Sequence, residues 1–240
     1  SFFDIRKDSK ESFQDLEIST CTDLCRTWQN QYPTIFISFR RVDGLTFSEA
    51  SYMLSTVISE LYQEHSYLLD SPAFNAYDKN TFSKIASGIT NPLELKDSLF
   101  FLTRMMQKHY GKPVILLIDE YDVPLDKAFQ NGFYREMVSL IRGLFGMALK
   151  TNDSLQFAVL TGCMRISKES IFTGLNNFEV LSILNDQYDE SFGFTDAEVK
   201  KILNDYNFKD HYLEVKEWYD GYHFGNTDIY CPWDVIQYCK

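Results

Sequence analysis

The sequence predicts an α/β fold in which a parallel sheet is covered by helices. Three observations carry this expectation. Residues 114–118 are an unbroken apolar run that leads straight into Asp119 and Glu120, the pattern of a strand buried on both faces of a parallel sheet. Two further runs, at 34–39 and 155–161, are rich in β-branched, aromatic and other apolar residues and also read as strands. Long segments with helical spacing separate the three. The order strand, helices, strand, helices, strand is that of an α/β domain, with right-handed crossovers.

The elements follow in chain order. After the first strand, apolar residues Leu54, Val57, Ile58 and Leu61 recur at spacings of three and four, which predicts a helix from 46 to about 69. Residues 70–80 are polar, contain Pro72 and read as a loop, followed by a short helix at 82–86. Pro92 is placed to open a helix that carries Leu95, Leu99, Leu102, Met105 and Met106 as far as Tyr110. Gly111 then ends that helix. Beyond the central strand, Pro124 begins a helical region, and residues 133–149 hold Met137, Leu140, Ile141, Leu144 and Phe145 on one face. Residues 177–184 are read as a further strand. Thr195-Asp196-Ala197-Glu198 is a capping box that starts a helix. The tail is read as a helix near 215–219, a loop at 221–225 and a last helix after Pro232. The expected division is an α/β core at 1–185 and a small, mostly helical subdomain at 186–240.

Composition narrows the function. The chain has 240 residues, 45% of them hydrophobic, with 20 Phe and 15 Tyr, ample for a packed core. A formal net charge of −11 argues against general attraction to nucleic acid or anionic lipid. No apolar run approaches the roughly 20 residues that cross a bilayer, so no membrane partner is expected. The five cysteines (Cys21, Cys25, Cys163, Cys231, Cys239) are an odd set and read as reduced thiols of a cytoplasmic protein. The histidines (His65, His109, His211, His223) are scattered, without local metal-binding spacing. The first residues, Ser1-Phe2-Phe3-Asp4-Ile5, look like the interior of a longer polypeptide.

The chemistry concentrates at the end of the central strand. An apolar strand ending in two acids is a Walker B pattern. Its first acid, Asp119, would hold Mg²⁺, usually through water, and its second, Glu120, would polarise the water that attacks a γ-phosphate. The plainer alternative is a core strand ending in a solvated acidic pair. Asp122 makes a third carboxylate within four residues, and is better read as a cap on the next helix. Such crowding of negative charge is costly unless a cation or basic group neutralises it. A P-loop, Gly-x-x-x-x-Gly-Lys-Ser/Thr, is missing. The Gly-Lys pair at Gly111-Lys112 precedes Pro113, which supplies neither a hydroxyl nor a backbone N–H.

The strand at 155–161 ends in Thr161-Gly162-Cys163-Met164-Arg165. Thr161 is placed to sense a γ-phosphate, or is a strand-end hydroxyl bonded to backbone. Arg165 would stabilise phosphoryl charge as an arginine finger does, or holds a structural ion pair. Cys163 reads as a buried, inert thiol. The aromatic stretch from Trp218 to Gly225 reads as packing for the small subdomain rather than as a base-stacking surface.

Several longer segments, KPVILLIDEYDVPLDKA at 112–128, LTGCMRISKESIFTGLN at 160–176, FGFTDAEV at 192–199, EWYDGY at 217–222 and YCPWD at 230–234, closely resemble the bacterial AAA-ATPase-like family. The resemblance implies a P-loop NTPase-like three-layer α/β/α fold, with 34–39, 114–119 and 157–161 as its second, third and fourth strands. It also implies ATP and Mg²⁺ as cofactors, Asp119 and Glu120 as the Walker B pair, and Arg165 as the arginine after the following strand. In that family a P-loop lies shortly before a segment like Phe2-Phe3-Asp4-Ile5-Arg6, and many members continue into a restriction-endonuclease-like nuclease domain. The chain is therefore expected to be an N-terminally truncated ATPase-like domain. It would lack the first strand and P-loop and be catalytically incompetent alone, within a parent that binds and hydrolyses ATP. The alternatives are a nucleotide-responsive switch and a non-enzymatic protein-interaction domain.

Overall fold

The computed structural model describes residues 1–88, 91–163, 171–172 and 178–240. The chain forms two compact units, Ser1–Asn176 and Asn177–Lys240. Two short helices, α1 (Lys10–Phe13) and α2 (Thr22–Trp28), precede β1 (Thr34–Ser38). Then come α3 (Phe47–Glu64), α4 (Ala76–Ala86), α5 (Pro92–Tyr110), β2 (Val114–Asp119), α6 (Val123–Gln130), α7 (Tyr134–Leu149) and β3 (Leu155–Leu160). The sheet is parallel throughout, in the order β1–β2–β3, so the α/β architecture and its three expected strands are present.

The central position of β2 explains its composition. Val114, Leu116 and Ile118 bury one face of β2, and Ile115 is buried on the other. Leu117 and Asp119 on that second face are only half-buried, so the covering by helices on both faces that the sequence predicts is, among the described residues, complete on one face alone. Of the helices, α5 and α7 pack along each other and α3 packs on α4 and α5. The stripe Met137, Leu140, Ile141, Leu144, Phe145 on α7 is buried. Gly111 does end α5: its φ of +67° suits glycine, and its N–H closes the last turn onto the Gln107 carbonyl at 2.8 Å.

The polar stretch 70–80 departs from expectation. Instead of a loop running to residue 80, helix α4 already begins at Ala76, because Asn75 and Asp78 form a capping box in which each side chain accepts from the other's backbone N–H. An Asp in the place usually held by Glu or Gln hides this start signal. Before the sheet, the Asp4 backbone bridges to Tyr32, and the Asp4 carboxylate accepts two bonds from the Arg6 guanidinium, at 3.1 and 3.0 Å. Beside them lies His65, only 1% exposed. Its Nδ1 sits 2.8 Å from the Leu61 carbonyl and therefore carries the hydrogen, while Nε2 has no hydrogen-bond partner among the described residues.

The second unit contains β4 (Phe194–Thr195), α8 (Asp196–Asp205), α9 (Tyr212–Tyr219), β5 (Tyr222–Phe224), β6 (Thr227–Tyr230) and α10 (Pro232–Tyr238). Thr195 and Glu198 form the expected capping box of α8. Residues 221–225, read as a loop, are instead half of a hairpin. Phe224 pairs with Thr227, leaving Gly225-Asn226 as a two-residue turn, and the unit holds an antiparallel sheet in the order β4–β6–β5 beside its helices. The expected strand at 177–184 is not a strand in its described part, 178–184. There Ser182 and Asn185 close a side-chain-stabilised turn, and Leu184 is 80% exposed. The core consists of Val199, Leu203, Val215, Tyr230, Val235 and Cys239. Tyr219 packs against this core whereas Trp218 is exposed, so only part of the 218–225 aromatic stretch serves packing.

Asp196 is the polar hub of this unit. Its Oδ1 accepts from the Tyr212 hydroxyl and, at 3.0 Å, from the Tyr230 hydroxyl, and its Oδ2 meets Lys200 Nζ at 2.5 Å. Desolvation pushes the Asp196 carboxyl up, but the donors outweigh it and bring it down to about 2. Among the described residues no helix is long and apolar enough to cross a membrane.

Candidate functional site

The parallel register arranges one face of the larger sheet in three rows. Paired residues of neighbouring parallel strands point to the same side. Thr34, Ile115 and Phe157 form the first row, and Phe36, Leu117 and Val159 the second. Ser38 and Asp119 begin the third, which Thr161 completes by following β3. The Phe157 ring meets Phe3 and Trp28 edge-on at 5.6 and 5.7 Å, so the N-terminal segment covers the first row. The second row is open: Phe36 is 59% and Val159 47% exposed.

The third row is polar and knit together. Thr161 Oγ1 donates to Asp119 Oδ1 at 2.6 Å, and Ser38 Oγ donates to Asp119 Oδ2 at 3.3 Å. Backbone bonds fix the frame beneath these side chains. The Phe39 N–H donates to the Asp119 carbonyl at 2.9 Å, the Thr161 N–H to the Ile118 carbonyl at 2.9 Å, and the Tyr121 N–H to the Thr161 carbonyl at 3.1 Å. Both neighbouring strands thus hold the end of β2, and Asp119 and Thr161 lie on the same carboxyl-end rim, where open α/β sheets bind ligands.

Glu120 follows Asp119 with φ +53°. A left-handed conformation costs a non-glycine residue about 1–2 kcal/mol, and such strain tends to persist where the surroundings over-determine it. Here the bonds on either side, at the Asp119 carbonyl and the Tyr121 N–H, hold the peptide. An aromatic column backs it: Tyr121 meets Phe172 edge-on at 5.5 Å, Phe172 stacks on Phe145 at 6.2 Å, and Phe145 stacks on Phe39 at 6.0 Å.

Asp122 is buried and occupies the N-cap position of α6, but its side chain makes no capping bond, so the capping role expected of it is not performed. Its carboxylate lies instead against Gly162, where a Cβ would come within 2.5 Å of Asp122 Oδ1 and 2.9 Å of the Tyr121 ring. Cys163 is exposed rather than buried, because β3 has already ended at Leu160. Arg165 lies outside the described residues. Ser38 was not singled out by its sequence, where the trace of its role is a hydroxyl at the carboxyl end of an otherwise apolar strand.

The donor set is oxygen only, as hard cations prefer. Among the described residues no group of three or more His, Cys, Asp or Glu side chains converges on a point that would hold a metal. Asp119, served by two hydroxyls, can hold a hydrated cation only together with a ligand that supplies further oxygens. That is how Mg²⁺ is usually bound beside substrate phosphates.

A family model described as "Predicted AAA-ATPase" matches residues 1–172, which includes the whole larger sheet and its rim. The resemblances at 192–199, 217–222 and 230–234 fall outside that match. The chain is 30% identical over 136 residues to "Uncharacterized protein in vnfD 5'region" of Azotobacter chroococcum mcd 1, an alignment covering 56% of this chain and 26% of the relative. The aligned part is thus about a quarter of that protein's length. No solved structure matches the chain significantly.

Proposed function

Since the chain belongs to the AAA-ATPase-like family described as "Predicted AAA-ATPase", we propose that it is the Walker B half of a P-loop NTPase-like domain that binds and hydrolyses ATP. Asp119 would hold Mg²⁺, Glu120 would polarise the attacking water, and Thr161 and Arg165 would sense or stabilise the γ-phosphate. The observation that carries the reading is the rim row itself: a carboxylate at the end of the central strand, gripped by a hydroxyl from the following strand at 2.6 Å, with a second carboxyl residue directly beside it. Mg²⁺, when bound, neutralises charge on the phosphates. The protein's own part is to hold Asp119 in one orientation and to present Glu120 from a peptide fixed on both sides.

The phosphate-gripping half belongs, on this reading, to a first strand and P-loop elsewhere in the same polypeptide. Two features support it. Among the described residues no strand pairs with the outer edge of β3, which leaves that edge open to a further strand. The open row Phe36–Leu117–Val159 offers an apolar bed next to the polar rim, where a helix following a P-loop would lie. Burying such apolar surface contributes about 25 cal/mol per Å².

The test has two arms. In the full-length protein, ATP with Mg²⁺ is expected to be hydrolysed, and Asp119→Asn to abolish turnover. Titration of the present 240-residue chain with ATP and Mg²⁺ is expected to show no binding tighter than about millimolar, roughly 4 kcal/mol. Absence of hydrolysis by the full-length protein overturns the ATPase reading. Micromolar binding by the chain alone overturns the division into two halves.

A further inference from the structure

We infer that Ser38 is a positioning residue for Asp119, and that Oδ2 rather than Oδ1 is the oxygen this carboxylate turns to a hydrated cation. The inference rests on the ATPase reading above and assigns a role to a strand that reading leaves out. The two oxygens of Asp119 are held unequally. Thr161 donates to Oδ1 at 2.6 Å, the length of a strong hydroxyl–carboxylate bond. Ser38 reaches Oδ2 at 3.3 Å, beyond the usual 2.5–3.0 Å range for hydroxyl donors. The same Ser38 oxygen accepts only a long bond, 3.4 Å, from the Arg40 N–H. Each oxygen can accept a second bond, but Oδ1 is held tightly and Oδ2 only loosely, so Oδ2 is the one free to turn toward a stronger donor.

A water in the shell of a divalent cation is such a donor. Mg²⁺ gives up its waters reluctantly and is commonly held through them. A water donating to Oδ2 leaves the Thr161 clamp intact and finds the Ser38 oxygen beside it as a second acceptor. The spacing of the two acceptors does not depend on a ligand. Ser38 and Asp119 are paired in register, and the Phe39 N–H ties the Asp119 carbonyl to β1 at 2.9 Å. Ser38 thus couples the edge strand β1 to the metal-facing oxygen, and Thr161 couples β3 to the other.

The experiment uses the full-length protein with ATP and with Mn²⁺ in place of Mg²⁺. Mn²⁺ affinity is read by electron paramagnetic resonance, and turnover is followed against metal concentration. Ser38→Ala is expected to raise the half-saturating metal concentration about three- to ten-fold, the range for losing one modest hydrogen bond. Metal-free ATP binding is expected to stay within about two-fold, since Ser38 acts only through the metal-facing carboxylate. Ser38→Thr, which keeps the hydroxyl, is expected to restore the metal dependence. An unchanged metal dependence in Ser38→Ala, alongside its loss in Asp119→Asn, overturns the role of Ser38 and leaves the ATPase reading standing. The same holds if Ser38→Ala lowers the denaturation midpoint and nothing else. A metal dependence that survives Asp119→Asn removes the ATPase reading, and this inference with it.

Discussion

Thr161 donates its hydroxyl to Asp119 Oδ1 at 2.6 Å, joining two residues 42 positions apart at one rim of the sheet. The bond ties the end of the central strand to the residue just past its neighbour. Thr161→Val keeps the side-chain shape and removes the donor. The Thr161 side is exposed, so the expected loss of stability is small, about 0.5–1.5 kcal/mol, measured by urea denaturation. The loss of ATP turnover in the full-length protein is expected to be much larger than the loss of ATP affinity. Equal losses would mean that Thr161 only supports the fold.

Glu120 allows strain to be separated from chemistry. Its φ of +53° is tolerated by glycine and opposed by a β-branched side chain. Glu120→Gly is expected to leave the fold unchanged or up to about 1 kcal/mol more stable, and Glu120→Val to destabilise it by about 1–2 kcal/mol. Glu120→Gln is expected to leave the denaturation midpoint in place and to lower turnover roughly 10²–10⁴-fold, the scale of a lost general base. Full turnover in Glu120→Gln would remove Glu120 from the chemistry.

Gly162 leaves little room for a side chain. A methyl group there meets Asp122 Oδ1 at 2.5 Å and the Tyr121 ring at 2.9 Å, and both belong to the loop that carries Glu120. Gly162→Ala is expected to cost about 1–3 kcal/mol, typical of overpacking, by urea denaturation. Wild-type stability in this variant would show that the loop yields easily and does not hold Glu120.

His65 gives the larger unit a pH response. Burial lowers its pKa, the Nδ1–H bond to the Leu61 carbonyl opposes the shift, and the charge of Arg6 adds to the lowering. The unfolded chain therefore takes up a proton near the ordinary value of about 6.5 while the folded chain still resists it. Stability is expected to fall as pH drops below about 6.5, with a slope of at most about 1.4 kcal/mol per pH unit from this group. Urea denaturation of wild type and His65→Gln between pH 7.5 and 5.5 isolates the term. Parallel slopes would exclude His65 as its source.

The strands and the rim acids were legible because their signals are local: five apolar residues into two carboxylates for β2, and an apolar run into Thr161 for β3. Ser38 was not, because serine at a strand end is commonplace and its partner Asp119 is 81 residues away. The cap of α4 was hidden by Asp78 standing where Glu is usual. The β5–β6 hairpin was hidden because its strands are short and polar on one side. The left-handed turn at Glu120 leaves no trace in residue type, since the two neighbouring strands impose it. Cys163 was misplaced because the strand stops sooner than the apolar pattern suggests.

Asp196 gives the small unit a fastening against acid. Two phenols and an ammonium close on one carboxylate that resists protonation until about pH 2, against about 3.9 for the same group in an unfolded chain. Its contribution is complete above the unfolded value and fades only as pH descends through the folded one. The grip of Tyr212, Tyr230 and Lys200 on this carboxylate is therefore expected to outlast an acidification that already neutralises ordinary carboxylates.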